Sequence, residues 1–182
     1  MVTAVARRPS AVAIQHERLE VIQGDVLEPA TIAQPITGQE VVVSAFGAAA
    51  RAPTTLYSEG AANIIRAMQT ANVRRLIGLS ANGLEPGPIL QRWFAKPLLW
   101  RAFRHTYTDL VRMEAVIKAS GLDWTILRPP RLTNGPRTGR YDVAVNKPLT
   151  YGWSISRADL ADYIVTHLDD PASHRAMVEI AY

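Results

Sequence analysis

Two arginines stand directly behind the first apolar run of the chain. Residues 2–6 have the composition of a short strand, and Arg7 and Arg8 follow it. A guanidinium presents a planar fork of donors that matches the geometry of a phosphate group. The pair therefore predicts a phosphate contact at the end of a strand, and an exposed basic turn is the alternative.

A second group of polar residues ends another apolar run. Ser80, Ala81 and Asn82 follow residues 75–79, which begin with an arginine and are apolar from 76 onward. Open α/β sheets bind their ligands outside the carboxyl ends of their strands. A serine hydroxyl placed there can orient a bound amide or relay a proton, so Ser80 is the predicted catalytic residue. Ala81 and Asn82 are predicted to contact the substrate.

Tyr107 is a weaker candidate for acid–base chemistry. A lysine beside a tyrosine lowers the pKa of its phenol, but the residue four positions after Tyr107 is Val111. Without that cation a phenol is a poor base at neutral pH. A structural role for Tyr107 is the favoured interpretation.

Composition excludes several other kinds of site. The chain has 182 residues and no cysteine, which excludes disulfides and thiolate catalysis. Its histidines are dispersed without a partner at metal-ligand spacing, so we predict no metal site. They are His16, His105, His167 and His174.

The charge balance favours an anionic ligand. The net charge is +4, and all basic residues other than Lys96, Lys118 and Lys147 are arginines. These arginines are scattered, which argues against nucleic-acid binding, and an arginine-rich genome is an alternative explanation. No apolar run is long enough for a membrane span and no signal peptide is recognisable, so a cytoplasmic location is expected.

The elements that must position these residues alternate between strand and helix. This order predicts a single domain with a mostly parallel sheet and helices on both faces. The predicted strands cover residues 2–6, 19–22, 40–46, 75–79, 124–127 and 177–181. The predicted helices cover 29–36, 58–71, 88–105, 109–120 and 156–168, and a loop with a hairpin near 140–145 covers 133–147. Ser156, with Asp159 three residues later, is typical of a helix start.

Seven stretches, taken in order along the chain, resemble one family. They are residues 2–10, 24–27, 53–65, 120–125, 128–130, 138–141 and 155–160. The set resembles the atypical short-chain dehydrogenases, the NAD(P)H-binding group that includes biliverdin-IXβ reductase/flavin reductase and NmrA-like proteins. The resemblance implies a Rossmann-like, doubly wound, mostly parallel sheet.

The resemblance also implies a set of cofactor contacts. Arg7 falls on the basic position of the family, with Arg8 beside it, where a guanidinium binds the 2′-phosphate of NADP. An acidic residue there would favour NAD. The Asp25 side chain and the Val26 backbone amide are expected at the adenine, although a Gly-Asp pair is also an ordinary turn.

Further implied contacts lie later in the chain. Phe46 and Gly47 end a strand where a slim backbone, continued by residues 48–50, allows a dinucleotide to approach. A loop that needs glycine for its dihedral angles is the alternative. Pro129 is assigned to the cofactor with Ser80. Arg131 occupies the position where tetrapyrrole reductases carry a histidine, and could hold an anionic group of the substrate.

Aromatic and basic side chains alternate over residues 92–104. Trp93 is the predicted substrate contact in this stretch. The pattern fits a lid over a flat aromatic substrate or a surface that binds a partner, and packing in the core is the alternative.

The sequence departs from the family at its start. No glycine-rich phosphate loop is found in these residues, so the fold is expected to lack its first strand and first helix, about 25–30 residues. Either the first two strands shift to close the resulting gap, or the native start lies upstream. We expect the affinity for NADPH to fall severely, because that loop supplies the pyrophosphate site.

The expected function is therefore an NAD(P)H-dependent reductase. It would use NADPH, or else NADH, to transfer a hydride to a planar acceptor such as a flavin or quinone, as a monomer or weak homodimer. A non-catalytic NmrA-like redox sensor or regulatory binding protein is the alternative.

Overall fold

The computed structural model describes residues 1–47, 53–84 and 96–182, without the side chains of 96–102. Its strands are β1 (Val2–Ala6), β2 (Leu19–Gln23), β3 (Val41–Ser44), β4 (Arg75–Leu79), β5 (Asp123–Arg128), β6 (Arg131–Thr133), β7 (Asp142–Val145), β8 (Ser154–Ser156) and β9 (Ala176–Ala181). Its helices are α1 (Pro29–Ile36), α2 (Leu56–Thr70), α3 (Lys96–Ala119) and α4 (Arg157–Thr166).

The strands form three groups. The main sheet has the order β3-β4-β5-β9-β7, and only β7 runs antiparallel to its neighbour. Two parallel pairs, β1-β2 and β6-β8, lie outside it. The predicted Rossmann-like α/β fold with a mostly parallel sheet is confirmed.

A gap in the hydrogen bonding separates β1 from β3. Within the residues that the structure describes, β1 pairs with β2, and neither strand pairs with the main sheet. A side-chain contact joins the two parts, since Gln39 Nε2 donates to Thr3 Oγ1 over 3.4 Å. One of the two expected outcomes, a shift of the first two strands to close the gap, is therefore not found among the described residues.

Apolar side chains pack on both faces of the main sheet. On one face α1, α2 and α3 bury Ile32, Ile64 and Met113 against strand residues such as Leu76 and Ile126. On the other face, Leu160 and Tyr163 of α4 cover Ile77, Leu127 and Val178 and form a second core. Burial on both faces is what parallel strands require.

The predicted helices over 88–105 and 109–120 are replaced by one element. α3 continues through residues 105–109, and its backbone departs from helical angles at Phe103, with φ −121° and ψ 17°. The first part of the predicted helix, residues 88–95, lies outside the described residues. The buried stripe that includes Leu110, Met113 and Ile117 explains why the second part is helical.

The predicted hairpin is wrong. Residues 142–145 form β7, which pairs with β9 over thirty positions later in the chain, Val145 facing Val178. Residues 131–133, placed partly in a loop, form β6 and pair with β8. Both partners are distant in sequence, so local turn signals could not identify them. The predicted cap is confirmed, because Ser156 Oγ accepts from the Asp159 amide over 2.9 Å.

Two further features are absent from the described part of the chain. None of its helices combines the length and apolar character needed to cross a membrane. Its acidic and histidine side chains form no cluster suited to a metal ion.

Candidate functional site

The carboxyl ends of β1 and β2 bring the first predicted residues together. Ala6 faces Gln23 in the parallel register, and the Gly24 amide donates to the Ala6 carbonyl over 3.1 Å. Arg7 therefore lies beside Gly24 and Asp25 at one edge. The Arg7 and Arg8 side chains are exposed, and among the described residues neither guanidinium has a hydrogen bond or ion pair. Two uncommitted guanidiniums are available to an anion there.

Asp25 organises the turn after β2. Its Oδ1 accepts from the Leu27 amide over 2.9 Å, and its own amide donates to Thr31 Oγ1 over 2.9 Å. Among the described residues, Oδ2 has no hydrogen-bond partner. Asp25 is thus a turn residue, as the simpler interpretation held, with one oxygen still able to accept a donor.

A glycine of α2 joins the ends of β2 and β3. A methyl group on Gly60 would lie 2.8 Å from Phe46 Cζ and 2.9 Å from Val26 Cγ2. The Val26 carbonyl also accepts from Asn63 Nδ2, a second α2 side chain, over 2.7 Å. Phe46 in turn stacks on Tyr57, with ring centroids 6.0 Å apart. The close approach that only glycine allows therefore holds Val26 and Phe46 on one helix.

The ends of β3, β4 and β5 form the second group. Ser44 faces Gly78, which places Phe46 and Gly47 just beyond β3 at the same edge as the residues after β4. The Ser80 amide donates to the Leu127 carbonyl over 2.7 Å, and the Asn82 amide to the Pro129 carbonyl over 3.0 Å. The β4–β5 pairing thus extends past both strands and aligns Ser80, Ala81, Asn82 and Pro129.

A buried ion pair lies behind Ser80. Ser80 Oγ donates to Glu114 Oε1 over 2.7 Å. Arg128 holds both oxygens of that carboxylate, with Nε 2.9 Å from Oε1 and Nη2 2.6 Å from Oε2. Glu114 and Arg128 are both almost completely buried, and Lys118 Nζ lies 3.7 Å from Oε2. This two-point grip fixes the carboxylate in one orientation.

Asp109 occupies the amino end of α2. Its side chain is fully buried and accepts from the Tyr57 amide over 2.8 Å, from the Ser58 amide over 3.4 Å, and from the Ser58 hydroxyl. A helix amino end attracts anions through its free N–H groups and its dipole. At α2 a protein carboxylate already fills that position.

Arg131 and Tyr107 lie at the margins of this site. Arg131 faces Ser154 in the β6–β8 register, and its exposed side chain has no polar partner among the described residues. Tyr107 packs against the core, and burial raises the pKa of its phenol above the ordinary value. A raised pKa makes Tyr107 a still poorer base, in agreement with the sequence prediction. Trp93 and residues 48–50 lie outside the described residues.

The buried charged residues of the site were not predicted from the sequence. Asp109 and Glu114 lie within the apolar stripe of α3, next to Leu110 and Met113, and both are buried. A carboxylate on the apolar side of a helix requires a buried partner. The position of two carboxylates among apolar residues of the helix was the signal available in the sequence. It could not identify Ser80, Arg128 or the amino end of α2 as their partners.

Comparison with known proteins supports the same fold and cofactor class. The model of a family described as NAD(P)H-binding matches residues 1–171. An uncharacterised chloroplastic protein of Arabidopsis thaliana is 30% identical over 171 residues, which are 89% of this chain and 60% of that protein. The chain thus spans about 60% of the length of this relative.

Solved structures agree. A short-chain dehydrogenase/reductase from Veillonella parvula is 25% identical, with a TM-score of 0.75 over 92% of this chain and 74% of its own. A second structure of a short-chain dehydrogenase/reductase from the same organism, in complex with NADP, is 23% identical, with a TM-score of 0.76 over 99% of this chain and 81% of its own. The predicted nicotinamide cofactor is confirmed at the level of NAD(P)H, and the chain belongs to the NAD(P)H-binding family, with the Rossmann-like fold of the short-chain dehydrogenases.

Proposed function

We propose that this protein is an NADPH-dependent reductase that transfers a hydride to a planar acceptor such as a flavin or quinone. The observation that carries the proposal is the pair of carboxyl edges that meet at Gly60, one bearing uncommitted arginines after β1 and the other an oriented serine hydroxyl after β4. Such an edge is where open α/β sheets bind their ligands.

The preference for NADPH rests on Arg7 and Arg8. Both guanidiniums are exposed at the end of β1, next to the Asp25 turn, and Asp25 Oδ1 is already bound to the Leu27 amide. A 2′-phosphate would pair with the arginines through charge-assisted hydrogen bonds. The structurally similar short-chain dehydrogenase/reductase from Veillonella parvula, which is in complex with NADP, supports this cofactor by analogy.

The reaction type rests on the chemistry available around Ser80. The Tyr107 phenol has a raised pKa through burial, and Val111 stands where a lysine would be needed. Hydride transfer to an electron-poor ring depends on positioning more than on an acid–base pair. Ser80, Ala81, Asn82 and Arg131 would position the acceptor and the nicotinamide, without a phenolate base.

A binding experiment tests the cofactor assignment. Fluorescence titration with NADPH and NADH, extended to millimolar concentrations, is carried out on the wild type and on Arg7→Ala/Arg8→Ala. We expect the double variant to lose about ten-fold or more in NADPH affinity, as for hydrogen bonds to charged groups, with NADH unchanged. Arg18→Ala is the matched control, an exposed arginine before the amino end of β2. Equal affinity for both cofactors in the wild type would contradict the NADPH preference.

The same titration tests the expected weak binding. A low-micromolar dissociation constant for NADPH would contradict the severe loss of affinity that we predict from the sequence. A separate assay follows NADPH oxidation with a panel of flavins and quinones. Turnover supports the reductase, whereas binding without turnover on any acceptor favours a sensor.

A further inference from the structure

We infer that Glu114 is a positioning residue that makes the Ser80 hydroxyl a hydrogen-bond acceptor for the carboxamide NH2 of the nicotinamide. This inference rests on the proposed function, because it assigns the atom of the cofactor that Ser80 meets. Glu114 itself lies behind Ser80 and is not assigned a contact with the ligand.

The contacts around Glu114 determine the direction of the Ser80 hydrogen bond. Glu114 Oε1 lies 2.7 Å from Ser80 Oγ and 2.9 Å from Arg128 Nε. An ionised carboxylate can only accept, so the hydroxyl hydrogen must point toward Glu114. Arg128 holds the other oxygen at 2.6 Å and prevents the carboxylate from turning away.

The remaining lone pairs of Ser80 Oγ then define its partner. A hydroxyl has one hydrogen to donate and two lone pairs with which to accept. With its hydrogen committed to Glu114, Ser80 accepts from a donor at the carboxyl edge, and it is not the proton donor to the acceptor substrate. The carboxamide NH2 of the nicotinamide is the donor group that the proposed cofactor offers.

An analogue of the cofactor tests this polarity. Reduced acetylpyridine adenine dinucleotide phosphate has a methyl group in place of the carboxamide NH2 and keeps the carbonyl. We expect the wild type to bind NADPH about 3- to 10-fold more tightly than the analogue, the range of one hydrogen bond. In Ser80→Ala, which leaves the Glu114–Arg128 pair intact, this ratio should fall to about one.

Substitution of Glu114 separates positioning from a structural role. In Glu114→Gln the ratio should also fall to about one, and Ser80→Ala/Glu114→Gln should show no further change. If Glu114→Gln does not fold, the variant Glu114→Gln/Arg128→Met, which removes both buried charges, is measured in its place. Controls are Glu17→Gln and Ser120→Ala, both outside the site, near the amino ends of β2 and β5 respectively.

The possible failures are distinguishable. A wild type that binds no NADPH overturns the proposed function and removes the ligand that we assign to Ser80. A wild type that binds NADPH and the analogue equally overturns this inference alone. A Glu114 variant that binds NADPH and the analogue more weakly but keeps the wild-type affinity ratio also overturns this inference, because Glu114 would then have only a structural role.

Discussion

Two halves of the molecule, one containing β4, β5 and β9 and the other β1, β2 and β3, differ sharply in burial, although both contain parallel strand pairs. In β4, β5 and β9 most side chains are buried between α2 and α3 on one face and α4 on the other. In β1, β2 and β3 only Ser44 is buried, and Val2, Val5 and Val43 are 61%, 39% and 43% exposed.

The comparison indicates that one half contributes most of the stability and the other carries predicted ligand contacts. Val41 packs against the core under α4, whereas Val43, which points to the same side of β3, is 43% exposed. The half that contains β4, β5 and β9 is covered on both faces and supplies most of the apolar burial. The other half presents Arg7, Arg8 and the Asp25 turn, so the expected contact with the adenosine end lies on the less buried part.

The strongest test concerns the ion pair of the well-buried half. Arg128→Met removes the two short contacts that the buried Glu114 carboxylate makes with a guanidinium and leaves it the longer contact with Lys118 at 3.7 Å. It should lower the free energy of unfolding by about 3–5 kcal/mol. Arg74→Met is the matched control, because Arg74 pairs with Asp123 at 3.1 Å while its side chain is 65% exposed. The control should cost less than about 1 kcal/mol. Urea denaturation measures both, and equal losses would contradict the interpretation.

A pair of leucines compares the two halves directly. Leu127 in β5 is 0% exposed, and Leu27 after β2 is 43% exposed. Leu127→Ala should lower the free energy of unfolding by about 2–5 kcal/mol, through lost apolar burial and a cavity. Leu27→Ala should cost about 1 kcal/mol or less, since that side chain buries little. Similar losses in denaturation experiments would show that the halves are equally important for stability.

Gly60 tests the junction between the halves. In Gly60→Ala the new methyl group would meet Phe46 and Val26, and the overpacking should cost about 1–3 kcal/mol. A gain of up to about 1 kcal/mol in helix propensity opposes this loss. Thermal unfolding should therefore show a small net destabilisation. Gly60→Ala/Phe46→Leu should regain stability, and a double variant less stable than Gly60→Ala would contradict the packing argument.

The response to acid provides the mildest test. Burial alone would raise the pKa of Asp159, but hydrogen bonds from Tyr182, Gly139 and Thr138 outweigh it and hold that pKa well below the ordinary range. A folded-state pKa below the unfolded value of about 3.9 stabilises the protein above that pH, and the contribution is lost as the pH falls.

The measurement follows unfolding from pH 7 to pH 2. We expect no loss from Asp159 between pH 7 and about pH 5, and a progressive loss below about pH 4. Asp159→Asn should be less stable at neutral pH and decline less steeply below pH 4. A variant with the acid dependence of the wild type would show that Asp159 does not contribute to it.

Much of the fold was predictable because its signals are local. The alternating pattern predicted parallel strands and helices, and α1, β1 and β4 begin and end where predicted. The Ser156 cap was likewise visible as a serine with an acidic residue three positions later. The order of motifs indicated the NAD(P)H-binding family, which the match over residues 1–171 confirms.

The candidate site was predictable only in part. Residues at strand ends, such as Arg7 and Ser80, could be identified because strands of a parallel sheet end at one edge. The structure alone revealed two contacts between residues that are far apart in sequence. Asp109 accepts from the amides of Tyr57 and Ser58 at the amino end of α2, 52 and 51 residues earlier in the chain. Ser80 donates to Glu114, 34 residues later. It also revealed the pairing of β7 with β9.

The sequence by itself determined the class of fold, most strands and helices, and the residue types at the carboxyl edge. These follow from backbone preferences and periodicity over a few neighbouring residues. Only the tertiary structure decided which charges are buried together and in which direction Ser80 donates. Those contacts arise when packing excludes water from groups that are far apart in sequence and must then satisfy one another.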